Sequence, residues 1–139
     1  MDKIRVQSDI KKISVNDKGD YICINLKDQS FINRLMDLHQ LISSEETSKY
    51  LENDGSSDVE MLKKASELNQ KMLDEIDSLF GKGACKKIFY ETYEENKDAM
   101  PGFMLIIDFL EQIMPLMEKY VKEFKNSSKL QGYLQQVGK

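Results

Sequence analysis

The chain is poor in the residues that most chemistry and most secreted scaffolds depend on. Its 139 residues include one histidine, two cysteines and two prolines. With His39 as the lone imidazole, no glycine-rich phosphate motif and no recognisable pair of acids, the inventory of general acids, bases and nucleophiles is close to empty. An enzyme is therefore not expected, and neither a cofactor nor a metal is implied. Cys23 and Cys85 lack CxxC spacing, and the opening MDKIRVQSDIKK has no apolar core behind its lysines of the kind a secretory signal carries. Two reduced thiols in an intracellular protein are the expectation. The longest apolar run, Phe103 to Ile107, is far too short to span a bilayer. Basic residues are also in deficit, 20 against 24 acids for a net charge of −4, so the field of the whole protein repels nucleic acid and anionic membrane. Lys11, Lys12, Lys63, Lys64, Lys86 and Lys87 occur as scattered pairs among acids and make no recognition patch.

What is present is a helix-rich composition, 40% hydrophobic and 32% charged with seven glycines. At this length one domain over residues 1–139 is expected, large enough to bury about two-thirds of the surface its unfolded form exposes. Residues 1–27 read as a β-hairpin. IKKISV and YICINL flank NDKGD, in which Asn16, Asp17 and Gly19 tolerate the backbone angles a short turn needs, and Ile4 to Val6 could add a further strand. Ile22, Ile24 and Leu26 alternate with Tyr21, Cys23 and Asn25, giving one apolar face. An isolated hairpin is marginal in water, so this face must pack on helices or on another chain.

Residues 28–126 read as a bundle of about four helices. Asp28 or Ser30 caps the first, with Phe31, Leu35, Leu38 and Ile42 at helical spacing. It ends before the Asn53, Asp54, Gly55 stop signal, with the boundary inside Ser43 to Asn53 left open. Ser57 and Glu60 have capping-box spacing for the second, whose stripe is Leu62, Ala65, Leu68, Met72, Ile76 and Leu79, ending at Phe80. The stretch SLFGKGACKKIF, Ser78 to Phe89, admits three readings. A Walker loop would need a preceding strand, GxxxxGK[ST] spacing and a hydroxyl for magnesium, and has none of these. A nucleophilic Cys85 would sit near a helix start beside Lys86 and Lys87, but its base would have to be His39 on another helix. A helix joint needs only Gly81 as a left-handed C-terminal residue, Gly83 as a permissive link and a new helix from Ala84, with Ala84, Ile88 and Tyr93 inward. Glu91, Glu94, Glu95 and Asp98 lack the alternating ligands and central glycine of a calcium loop and read as a solvated face. Pro101 then opens the last long helix; because Phe103 to Ile107 is apolar on all sides, this helix is expected to be the most buried. Ile107, Leu110, Met114, Met117, Val121 and Phe124 continue its inward stripe, and Pro115 is expected to bend it.

FGKGACKKIF resembles an FGxGT(C/S)(R/K)KxFG turn, and IIDFLEQIMPLMEKY resembles a (D/E)FFEQLxPxxxKY helix, of small proteins encoded among the tail genes of phages and prophages of Gram-positive bacteria. The likeness spans Ser78 to Tyr120, with Ala84 and Tyr90 where that family's pattern has threonine and glycine. It implies a short, helix-rich tail assembly chaperone of the host cytoplasm, which keeps the long tape-measure protein soluble until the tail tube forms. It also implies a longer form made by ribosomal slippage near Gly138-Lys139. Self-association into homo-oligomers is expected, because a hairpin edge and repeated weak contacts favour it. A structural adaptor that stays in a tail-like particle is the alternative, and a small nucleic-acid-binding regulator a more distant one.

Four of the eight methionines, Met100, Met104, Met114 and Met117, lie on or at the start of the last helix. Their flexible thioethers suit a groove for varied apolar sequences and equally suit an irregular core. In the tail, residues 127–139, Leu130, Tyr133, Leu134 and Val137 fall at i, i+3, i+4 and i+7 and form a short apolar face, which docks on this chain or on another. Met104, Met114, Met117, Leu130, Tyr133, Leu134 and Val137 are thus the candidate partner-binding residues.

Overall fold

The computed structural model describes residues 1–44, 59–125, 132 and 134–136. In chain order it contains β1 (Ile10–Ser14), β2 (Tyr21–Asn25), α1 (Gln29–Ser43), α2 (Val59–Phe80), α3 (Ala84–Ile88), α4 (Tyr90–Glu95) and α5 (Phe103–Lys125). This is an α+β chain, mostly helical, with the hairpin first. Two compact units divide it, Met1–Ile106 and Ile107–Lys139, with the boundary inside α5.

In the first unit β1 and β2 pair antiparallel from Ile10 opposite Asn25 to Ser14 opposite Tyr21. The turn closes because Gly19 takes φ +91° and the Asn16 side-chain oxygen accepts the Lys18 backbone N–H at 2.8 Å, a local bond in which asparagine mimics a backbone turn. Asn16 Nδ2 also donates to the Lys87 carbonyl at 3.0 Å, tying the turn to α3. Ile22 and Ile24 are fully buried, on the face where β2 packs against α2 and α3. The strand expected at Ile4 to Val6 does not form, and both apolar residues lie outside the ladder and exposed. The reason is that β2 gives way to a turn, with Asp28 N–H donating to the Asn25 carbonyl at 3.1 Å, so no strand remains opposite them.

Asp28, of the two candidates, caps α1, accepting the Ser30 backbone N–H at 2.9 Å and the Ser30 hydroxyl at 2.7 Å. Phe31 and Leu38 are buried while Leu35 and Ile42 are half-buried. α1 packs along α2, the Phe31 ring meeting Phe80 edge-on at 5.9 Å and Arg34 donating to the Ser78 carbonyl at 3.0 Å. α1 ends within the interval left open, at Ser43. The expected joint at Gly55 and the Ser57 half of the capping box lie outside the described residues. In α2 the predicted stripe is buried at Met72, Ile76 and Leu79, joined by Leu73 and Phe80, whereas Leu62 is exposed and Ala65 and Leu68 are half-buried. Only the later turns of α2 therefore enter the core.

Gly81 and Gly83 take φ +110° and +83°, angles that cost an L-residue strain and glycine little. Gly81 N–H closes on the Asp77 carbonyl at 2.9 Å, and Ala84 N–H on the Gly81 carbonyl at 3.0 Å. The helix-joint geometry expected of this stretch is thereby formed.

Two expectations for α5 are corrected. Pro101 does not open the helix; the Gly102 carbonyl receives the Leu105 and Ile106 N–H groups, both at 3.1 Å, and α5 starts at Phe103. Pro101 lies just before it, buried, with its carbonyl taken by Asn69 Nδ2 at 2.8 Å and so not available to the helical ladder. Nor is α5 the most buried helix: Ile106, Phe109, Ile113 and Met117 are buried on it, against Asn69, Met72, Leu73, Ile76, Leu79 and Phe80 on α2, and within its apolar start Met104 and Leu105 are exposed. Further along α5, Phe109, Ile113 and Met117 are buried, with Ile107, Leu110, Met114 and Val121 half-buried. The inward line thus runs mostly one residue away from the predicted one, because a segment apolar on every side does not set its own rotation. The Phe124 side chain lies outside the described residues.

Candidate functional site

The glycine joint places Cys85 at the start of α3 with its thiol turned inward. Sγ donates to the Leu73 carbonyl at 3.2 Å, and the backbone N–H of Cys85 donates to Asp77 Oδ1 at 2.8 Å. Burial, followed by the negative charge and hydrogen bond of Asp77 and the charge of Asp74, pushes the thiol far above its usual range. A nucleophile needs the thiolate, which this setting disfavours. The exposed Lys86 and Lys87 point away from that role, and His39 stands exposed on α1. The arrangement suits fastening of the α2–α3 joint, with Asp77 supplying an acceptor to the free N–H of a new helix. Burial likewise raises the Tyr93 phenol, helped by the charges of Cys85 and Asp77.

A different feature appears around the approach to α5. Asn69 holds Pro101 against α2, and Ser66, three residues earlier, brings its hydroxyl to 4.0 Å from the Met100 sulfur. Leu62 lies one turn before Ser66 on the same helix, exposed. Met100 is also exposed, as are Leu105 and, at 77% of its surface, Met104. Leu62 on α2, Met100 on the segment before α5, and Met104 and Leu105 at the start of α5 are therefore apolar side chains open to solvent, all inside the first unit.

The sequence-predicted partner residues separate in this light. Met104 is the most exposed of those described, Met114 is half-buried, and Met117 retains only 2% of its surface, which makes it a core side chain out of a partner's reach in this structure. Leu134 is helical and exposed. Leu130, Tyr133 and Val137 lie outside the described residues. Sequence reasoning missed the exposure of Leu62 and Leu105, whose spacing marks them as apolar without saying which side of a helix meets solvent. It also missed Asn69, a buried amide for which an isolated asparagine in a helical stripe was the only available signal.

Among the described residues, the charged side chains make separate local contacts. Lys64 pairs with Glu60 at 3.7 Å, and Lys12 and Lys18 lie over the rings of Tyr21 and Tyr90 at 4.7 and 4.4 Å. A groove of about 630 Å³ in the second unit is lined by Pro115, Glu118, Lys119, Lys122 and Glu123, a mixed-charge wall open to water. Among the described residues no group of three histidine, cysteine or acidic side chains is placed to hold a metal ion, and no helix is long and apolar enough to cross a membrane. Compared with models of protein families, with curated proteins and with solved structures, the chain matches none.

Proposed function

We propose that this protein is a non-enzymatic tail assembly chaperone, binding the tape-measure protein in the host cytoplasm while a phage tail is built. The observation that carries the reading is the exposure of the apolar side chains Leu62, Met100, Met104 and Leu105. Methionine side chains of this kind adapt to varied apolar sequences, as a holder of a long helical client requires. The identity of the client rests on the resemblance between Ser78 and Tyr120. Fastening of Cys85 inside the joint agrees with a scaffold role for that motif.

The test is copurification of the full chain with fragments of a long coil-rich protein encoded just downstream. Burying a methionine is worth about 1.5–3 kcal/mol, so Met104→Asp is expected to weaken capture at least about tenfold. Cys85→Ser and His39→Gln should bind as the parent does. Unchanged capture by Met104→Asp would refute the surface, and the absence of tail genes nearby would remove the family. Stoichiometric recovery of the protein from mature tails would assign it to the structural adaptor instead.

A further inference from the structure

The hairpin presents one bare edge. Val15 N–H donates to the Asp20 carbonyl at 3.2 Å, and this position fixes the alternation of the ladder: residues 11, 13 and 15 aim their backbone groups at β2, while Ile10, Lys12 and Ser14 aim theirs outward. Among the described residues the sheet has two strands. The helices that cover the hairpin pack on β2, so the outer edge of β1 carries a row of donors and acceptors with no strand beside it.

The same chain carries a segment fit to fill such an edge. Residues 1–9 are exposed throughout, Ile4 at 92% and Val6 at 91%. Lys3-Ile4-Arg5-Val6-Gln7 alternates polar and β-branched residues, the pattern of a strand. Lys27 Nζ reaches the Gln7 carbonyl at 3.3 Å, which keeps the start of the segment beside the end of the hairpin. Extended as a continuation of β1, the segment would carry Ile4 about 20 Å beyond Ile10, past the end of its own sheet. The segment is not folded back along β1: residues 1–9 form no strand, and among the described residues the sheet consists of β1 and β2.

We propose that residues 1–9 and β1 form one continuous strand that pairs antiparallel with the same strand of a second copy, joining two hairpins into a four-stranded sheet. A second copy is the fitting occupant because segment and edge are two halves of one strand: about a twofold axis each covers the other, and the contact closes at two. Even-numbered residues then pair with even-numbered ones. Ile4 and Val6 of one copy stand in the row of Ile10, Lys12 and Ser14 of the other, on the face that carries the exposed Tyr21. The proposal does not depend on the tape-measure reading.

Sedimentation velocity on the full chain over a rising concentration series should show a monomer–dimer equilibrium. Amide exchange should show protection rising with concentration at Ile10, Lys12 and Ser14, while Lys11 and Ile13, already bonded to β2, change little. Val6→Pro, which removes an outward N–H, and Ile4→Lys should each weaken dimerisation at least tenfold with an unchanged circular dichroism spectrum, because neither side chain is packed in the single copy. Capture of tape-measure fragments by these variants separates failure of this proposal from failure of the functional one. A monomer at every concentration, a dimer indifferent to Val6→Pro, or new protection elsewhere than on the even residues of β1 would overturn it.

Discussion

Asn69→Ala probes the contact that sets where α5 begins. Asn69 is 5% exposed, and its Nδ2 donates at 2.8 Å to the carbonyl of Pro101, itself enclosed. Removing the donor orphans a buried acceptor, at a cost of about 1–3 kcal/mol, and the lost amide volume adds a smaller packing penalty. We expect a destabilisation of about 2 kcal/mol, or a fall of about 8 °C in melting temperature for a chain of this length. Urea unfolding followed by circular dichroism measures it. Asn69→Leu restores volume without a donor and should recover only the packing part. Asn69→Asp would set a carboxylate against a carbonyl, raising the folded-state pKa. That variant should be most stable below the unfolded carboxyl value of about 3.9, where the acid can still donate, and should lose stability as pH rises through the folded-state value. If Asn69→Ala stays within about 0.5 kcal/mol of the parent, or Leu restores it fully, the hydrogen bond is not what stabilises this crossing.

Other perturbations test the remaining elements. Gly81→Ala and Gly83→Ala should each cost about 1–2 kcal/mol, and from backbone strain alone, since no neighbour lies within 4 Å of the added Cβ; thermal melts of both variants at parental stability would contradict the left-handed joint. A thiol reagent should modify the exposed Cys23 quickly and the buried Cys85 only with denaturant, so two fast thiols would be inconsistent with this packing. The Asp28 carboxyl is held below its usual range by the Ser30 hydroxyl and N–H, so its contribution is present above the unfolded carboxyl value and is lost as pH falls through the lower folded-state one. Asp28→Asn should keep the cap near neutral pH and flatten the acid limb of the stability curve. An unchanged acid limb would assign that limb to other groups.

The features legible in the sequence are those that act over a few residues. NDKGD specified the hairpin because asparagine and glycine settle a turn through their own angles and local bonds, and Asp28, Gly81 and Gly83 marked helix ends for the same reason. Met104 was likewise legible as an apolar residue at the start of the last helix. Its exposure, and the burial of Met117 on that same helix, were not. A run such as Phe103 to Ile107 satisfies any rotation about its axis, so the sequence leaves open which side chains face solvent, and packing selects the answer. The bond from Asn69 to Pro101 spans 32 positions and that from Asn16 to Lys87 spans 71. Neither has a local signal, because a side-chain amide can bond wherever the folded chain supplies a partner, and only the tertiary structure brings that partner within hydrogen-bonding distance.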